Sequence, residues 1–103
     1  MKYKTIVSDS AERDLEEILA YIAVKLDSPK AAASFADALD DKYAQLEDYP
    51  LLFELSRNAG LAAKGYRRFV INNYIALYLV DEDRHEVIIS RIFYGKQNYT
   101  KYI

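Results

Sequence analysis

The chain has no cysteine, a single histidine, and only three glycines and two prolines in 103 residues. Without cysteine there is neither a disulfide framework nor a thiolate metal site, and a reducing compartment is allowed. The one histidine, His85, follows the charged run Asp81-Glu82-Asp83-Arg84 with no second ligand and no orienting base nearby, so it reads as a solvated turn residue. No apolar run approaches the length of a membrane span, and Met1-Lys2-Tyr3-Lys4-Thr5-Ile6-Val7 is too short for a signal peptide. A soluble cytoplasmic protein that makes no membrane contact is expected. Gly95-Lys96 lacks the second glycine and the hydroxyl residue of a phosphate loop. No metal and no cofactor are expected.

What is present has the composition of a globular protein, 51% hydrophobic and 29% charged. A chain of this size fits one domain, residues 1–103, and buries roughly two-thirds of its unfolded surface. The net charge of −2 conceals an asymmetry: residues 1–56 hold 6 Lys/Arg against 12 Asp/Glu, a balance of −6, and residues 57–103 hold 8 against 4, a balance of +4. A basic half on an acidic protein suits contact with phosphate or with an acidic partner, because local potential steers association.

Residues 3–7 alternate weakly and include Thr5, Ile6 and Val7, which favours a short strand. Ser8-Asp9-Ser10-Ala11-Glu12 offers several N-cap candidates, Glu12 standing three residues after Asp9 as in a capping box. Ala11, Leu15, Ile18, Leu19, Ile22 and Leu26 then recur at helical spacing, with Glu12, Arg13, Asp14, Glu16 and Glu17 mainly elsewhere on the wheel. The carboxylates of this helix read as a wet face. Asp27-Ser28-Pro29 ends it and starts a second helix, in which Ala32, Phe35, Ala36, Leu39, Tyr43 and Leu46 share a face up to Pro50. Residues 51–65 show no periodicity and are expected to form a connecting loop. Three β-rich runs follow, 66–71, 74–80 and 86–93, the first two separated by Asn72-Asn73, which suits a tight turn. The order β-α-α-β-β-β predicts an α+β domain with a helical hairpin packed on one face of a small antiparallel sheet.

Several stretches along this succession carry a resemblance. They are Ser10-Ala11-Glu12-Arg13-Asp14-Leu15-Glu16-Glu17-Ile18 with Tyr21-Ile22, Ser28-Pro29-Lys30-Ala31-Ala32 with Phe35, and Leu46 with Tyr49-Pro50. Tyr66-Arg67, Phe69-Val70, Asn73-Tyr74, Tyr78, Val87-Ile88-Ile89 and Arg91-Ile92 continue it. Together, over about residues 6–99, they resemble the RelE/ParE superfamily, the toxins of type II toxin–antitoxin systems. The resemblance implies a growth-inhibiting protein that a cognate antitoxin holds inactive in a hetero-oligomer. RelE-like members cut messenger RNA on the ribosome without a metal, and ParE-like members, the plasmid stabilisation proteins, are known as inhibitors of DNA gyrase.

Metal-free RNA cleavage requires a group to activate the 2′-hydroxyl, cations to hold the charge on phosphate and an acid for the leaving oxygen. In RelE-like nucleases an arginine commonly follows the tyrosine of the middle strand, whereas Ile75 follows Tyr74 here. Their C-terminal Gly-Lys-Arg is Gly95-Lys96-Gln97 in this chain, and Phe93-Tyr94 stands where some members have a histidine. The long hairpin also favours the ParE-like branch, so gyrase is the expected target. A ribosome-dependent mRNA endonuclease is the alternative, with Arg68, Arg91 and Lys96 as candidate catalytic residues. A degenerate, non-toxic binding module is the third reading. Arg67, Tyr94, Tyr99 and Tyr102 are candidates for toxicity or target binding through a basic and aromatic face. Arg67 and Arg68 point to opposite faces of their strand, so at least one is a solvated or paired charge. Arg91 is as well placed to pair with a helix carboxylate such as Glu17 as to hold a ligand. Tyr74 and Tyr78 share a face and are expected in the core or toward the antitoxin.

Overall fold

In the computed structural model, which describes residues 2–95, the chain opens with strand β1 (Lys4–Val7) and turns at once into helix α1 (Asp9–Ala20). Ser8 makes that turn. Its backbone is extended, its hydroxyl accepts the Ala11 amide at 3.1 Å, and the same hydroxyl donates to the Ser90 carbonyl at 2.9 Å. Ser8 is therefore the cap among the several candidates. Asp9 already lies in the first turn, where it complements the helix dipole and forms no capping box with Glu12.

The first helix does not run evenly to Leu26. After Ala20 the chain widens into a π-helical turn, Tyr21–Lys25, and Asp27 closes it at φ 50°, a left-handed conformation that Asp tolerates better than most residues. The widening takes Leu26 off the apolar stripe and leaves it 56% exposed. Ser28 then caps helix α2 (Pro29–Asp48) by accepting the Ala31 amide at 3.2 Å, with Pro29 at the first helical position. Ala32, Phe35, Leu39 and Leu46 are buried along its inner face.

Residues 51–65 hold more order than the expected loop. The Asn58 side chain caps a short helix, α3 (Ala59–Ala63), whose Leu61 is buried and which ends at Gly65 with φ 89°. Strands β2 (Arg67–Ile71), β3 (Tyr74–Asp81) and β4 (Glu86–Tyr94) then form the antiparallel meander. Asn72 takes the left-handed conformation, φ 53°, in the first turn, and His85 does so in the second, φ 54°. His85 is only half-buried by its surroundings, yet its ring stands edge-on to Tyr3 at 5.1 Å between centroids.

β1 lies beside β4 and runs parallel to it, Thr5 opposite Val87, which gives the strand order β1-β4-β3-β2. The sheet is thus mixed, not wholly antiparallel. Strand composition carries no direction, so the four residues of β1 do not disclose this pairing. The hairpin covers one face of the sheet, where Phe69, Ala76, Tyr78, Val87, Ile89 and Ile92 pack against Ala11, Ile18, Phe35, Leu39 and Leu46. Ile75, Leu77 and Phe93 form a smaller cluster with Leu61 on the opposite face. With both faces engaged, β3 reads as an unbroken apolar run. Among the described residues no helix is long and apolar enough to cross a membrane.

Candidate functional site

Strand β4 changes character halfway along. Arg91 faces Leu77 and Ile89 faces Tyr78, so Ser90 is an extra residue, a β-bulge. β1 pairs with β4 only as far as Ile89, after which the outer edge of β4 faces helix α1. There the Asp14 carboxylate closes three contacts. Oδ2 accepts from Arg91 Nε at 2.8 Å and from the Ile92 amide at 3.0 Å, and Oδ1 accepts from Arg91 Nη2 at 3.0 Å. This is a bidentate ion pair between side chains only 13% and 21% exposed. The Arg91 guanidinium also lies 5.0 Å from the Phe93 ring centre.

Beyond this clamp, between α1 with its π-helical turn and the ends of β3 and β4, lies an open groove of about 910 Å³. Ile18, Ile22 and Ile92 supply apolar lining, and Tyr21, Tyr74 and Tyr94 supply rings. Tyr74 stands edge-on to Phe35 at 5.3 Å and to Tyr94 at 5.7 Å, which fixes its plane. Burial pushes the Tyr74 phenol above its ordinary pKa of 10.0, and the Tyr21 and Tyr94 phenols beside it push the same way. At neutral pH it is a protonated phenol and therefore a hydrogen-bond donor, not a base. Asn72 and Asn73 close one end. Gly95 donates to the Asn73 carbonyl at 2.6 Å, so close that a Cβ on residue 95 would lie 2.9 Å from that oxygen.

The candidate residues are not gathered at one point. Arg67 is engaged on the helix-covered face, its Nη1 donating to the Phe53 carbonyl at 2.8 Å. Arg68 points to the opposite face, and its side chain makes no ion pair or hydrogen bond among the described residues. Arg91 is paired with Asp14, one helical turn before the Glu17 named as its possible partner. Tyr94 lines the groove, and Lys96, Tyr99 and Tyr102 lie outside the described residues. Tyr78 is fully buried, with its hydroxyl donating to the Pro50 carbonyl at 3.2 Å, and Tyr74 is half-buried in the groove wall. Ile75, in the position where RelE-like nucleases carry arginine, is buried on the far face.

Sequence reasoning missed Asp14 and Tyr21, and offered Glu17 only as a partner for Arg91. A signal was available: Asp14, Ile18 and Tyr21 share a helix face at offsets of four and seven, so the carboxylate sits on the inward stripe and not the wet one.

The fold is shared with two solved structures. One is the RelBE2 toxin–antitoxin complex of Mycobacterium tuberculosis, with a TM-score of 0.63 and 21% identity over 91% of this chain and 99% of that one. The other is the chromosomal ParDE toxin–antitoxin system of P. aeruginosa, with a TM-score of 0.71 and 18% identity over 92% and 98%. A search of curated proteins finds no match. The architecture is that of the RelE/ParE toxin fold. Within that class the model of the ParE toxin of the type II toxin–antitoxin system parDE matches residues 5–99, and the chain belongs to the ParE toxin family.

Proposed function

We propose that this toxin arrests growth by binding DNA gyrase, and that a cognate antitoxin neutralises it in a cytoplasmic hetero-oligomer. The observation that carries the choice of target is the state of Arg91. A guanidinium held bidentate by Asp14 commits its Nε and an Nη2 donor to a carboxylate, and moving it fully onto phosphate strands a carboxylate that is 13% exposed. Arg67 is likewise engaged, and Ile75 offers no cation. The described residues therefore support action by binding better than cleavage of RNA. That the two similar structures are toxin–antitoxin complexes supports an antitoxin partner.

The test is inducible expression of the chain alone, with growth, cleavage of translated messages and a DNA-damage reporter followed in one culture. Growth arrest with induced damage and intact messages is the expected result. Messages cut within codons would replace gyrase by the ribosome, with Arg68 and Lys96 as the remaining cations. Unimpeded growth at confirmed soluble expression would leave a non-toxic binding module.

A further inference from the structure

Among the described residues the exposed large apolar side chains are not scattered evenly. Tyr21, Val24, Leu26 and Tyr94 lie on or beside the π-helical turn or at the end of β4, around the groove already described. Val70 stands on β2. Tyr49, Leu51, Leu52 and Leu55 fall together just after α2, at 68%, 51%, 52% and 44% exposure, and none of them lines the groove. A single exposed leucine is ordinary, but four large apolar side chains on one short connection form a patch, and a patch marks a contact surface.

The connection is not free to turn these side chains inward. The Leu52 amide donates to the Tyr49 carbonyl at 3.1 Å, a tight turn around Pro50-Leu51 that brings Tyr49 and Leu52 together. The inward positions are already filled. The Pro50 carbonyl accepts the Tyr78 hydroxyl at 3.2 Å, and the Phe53 ring stands 5.7 Å from Phe69 with Lys42 Nζ 4.9 Å from its centre. The Phe53 carbonyl holds Arg67. Next, the Glu54 carbonyl accepts the Arg68 amide at 3.0 Å and the Ser56 amide donates to the Tyr66 carbonyl at 2.8 Å, which fastens the segment to the edge of β2. Anchored in this way, residues 49–55 present their remaining side chains as a fixed surface, which lowers the ordering cost of binding.

Charge decides what kind of partner fits. The acids that flank the patch are paired, Asp48 with Lys2 at 3.8 Å and Glu54 with Arg57 at 3.1 Å. Balanced charge at the rim gives no local field to hold phosphate, which nucleic-acid binding requires. An apolar centre within a polar, balanced rim suits another protein.

We propose that residues 49–55 form the surface through which the toxin holds its protein target, a second contact face apart from the groove. The inference rests on the gyrase reading for the identity of that target. The target has to meet Tyr49, Leu51, Leu52 and Leu55 with an apolar surface of its own.

The test reads the toxin concentration that halves supercoiling by purified DNA gyrase. It compares the native chain with Leu51→Ser/Leu52→Ser, with Leu51→Met/Leu52→Met and with Val24→Ser on the hairpin tip. The serine pair is expected to need at least about ten-fold more protein, whereas the methionine pair and Val24→Ser should stay within about two-fold of native. Thermal midpoints equal to native verify that each variant folds, and Tyr49→Ser, at the other end of the turn, supplies an independent removal with the same expected direction. Inhibition by the folded serine pair and by Tyr49→Ser at native concentrations would overturn the proposal and leave gyrase as the target. A loss in Val24→Ser as large as in the serine pair would also overturn it. So would a native dimer that the serine pair dissociates without loss of inhibition, since the patch would then belong to a second copy. A native chain that leaves supercoiling untouched would remove the gyrase reading and this assignment together.

Discussion

Asp14 holds one edge of the sheet and one guanidinium at once, so removing it strands three N–H donors. A fully buried pair broken on one side costs about 3–5 kcal/mol. Here Arg91 retains some contact with water, at 21% exposure, which lowers the figure. Asp14→Ala is expected to cost about 2–3 kcal/mol in urea unfolding, and Asp14→Asn less, because one amide oxygen can still accept from Arg91 or Ile92. Tyr43 presents the opposite case. Its hydroxyl is buried and finds no hydrogen-bond partner among the described residues. An unpaired buried hydroxyl is a penalty the fold carries, so Tyr43→Phe should leave stability at neutral pH unchanged or raise it by up to about 1 kcal/mol. A clear loss in the same unfolding assay would mean that the hydroxyl has a partner, such as an ordered water.

At the scale of elements, Ser8 couples a helix to a strand. Its one hydroxyl caps α1 and reaches the bulge carbonyl of β4, so Ser8→Ala should cost about 1–2 kcal/mol, a cap plus a hydrogen bond. Hydrogen exchange should quicken at the Ala11 amide; protection unchanged there would show that the cap is dispensable. Most elements were legible in the residues because each carries a local signal. Ser28-Pro29 marks the start of α2, the stripe from Ala32 to Leu46 marks its buried face, and Asn72-Asn73 marks the turn between β2 and β3. What escaped has no local signature. The π-helical turn at Tyr21–Lys25 has the same letters as an ordinary helix, and α3 is too short to show a period. The direction of β1 is set by a partner strand some eighty residues away, and the bulge at Ser90 by the register of β4 against β3. The candidate site is legible in composition more than in place: Arg91 and Tyr94 stand out as cation and ring, but Asp14 sits in a run of carboxylates that reads as solvent-facing, although it decides what Arg91 can do.

The whole domain should be sensitive to alkali. Burial raises the phenol pKa of Tyr43, Tyr74 and Tyr78 above the ordinary 10.0, for Tyr43 with the nearby Asp40 and Glu12 charges adding to it. The folded state then keeps protons that the unfolded chain releases. Stability from these groups is fully present below about pH 10 and is lost as pH climbs through the raised values. Thermal unfolding followed between pH 9 and 11 should show a falling midpoint, less steep in Tyr43→Phe; an equal slope in both proteins would remove Tyr43 from the account. The parallel pairing of β1 with β4 reaches further still, into the order of synthesis. The Ser8 hydroxyl bonds to a carbonyl 82 residues later in the chain, and the sheet that joins them cannot close until that later segment has been made. While the hairpin emerges, β1 waits without its partner and the groove has only one wall. The growing chain therefore has no complete groove to offer any partner until β4 has left the ribosome.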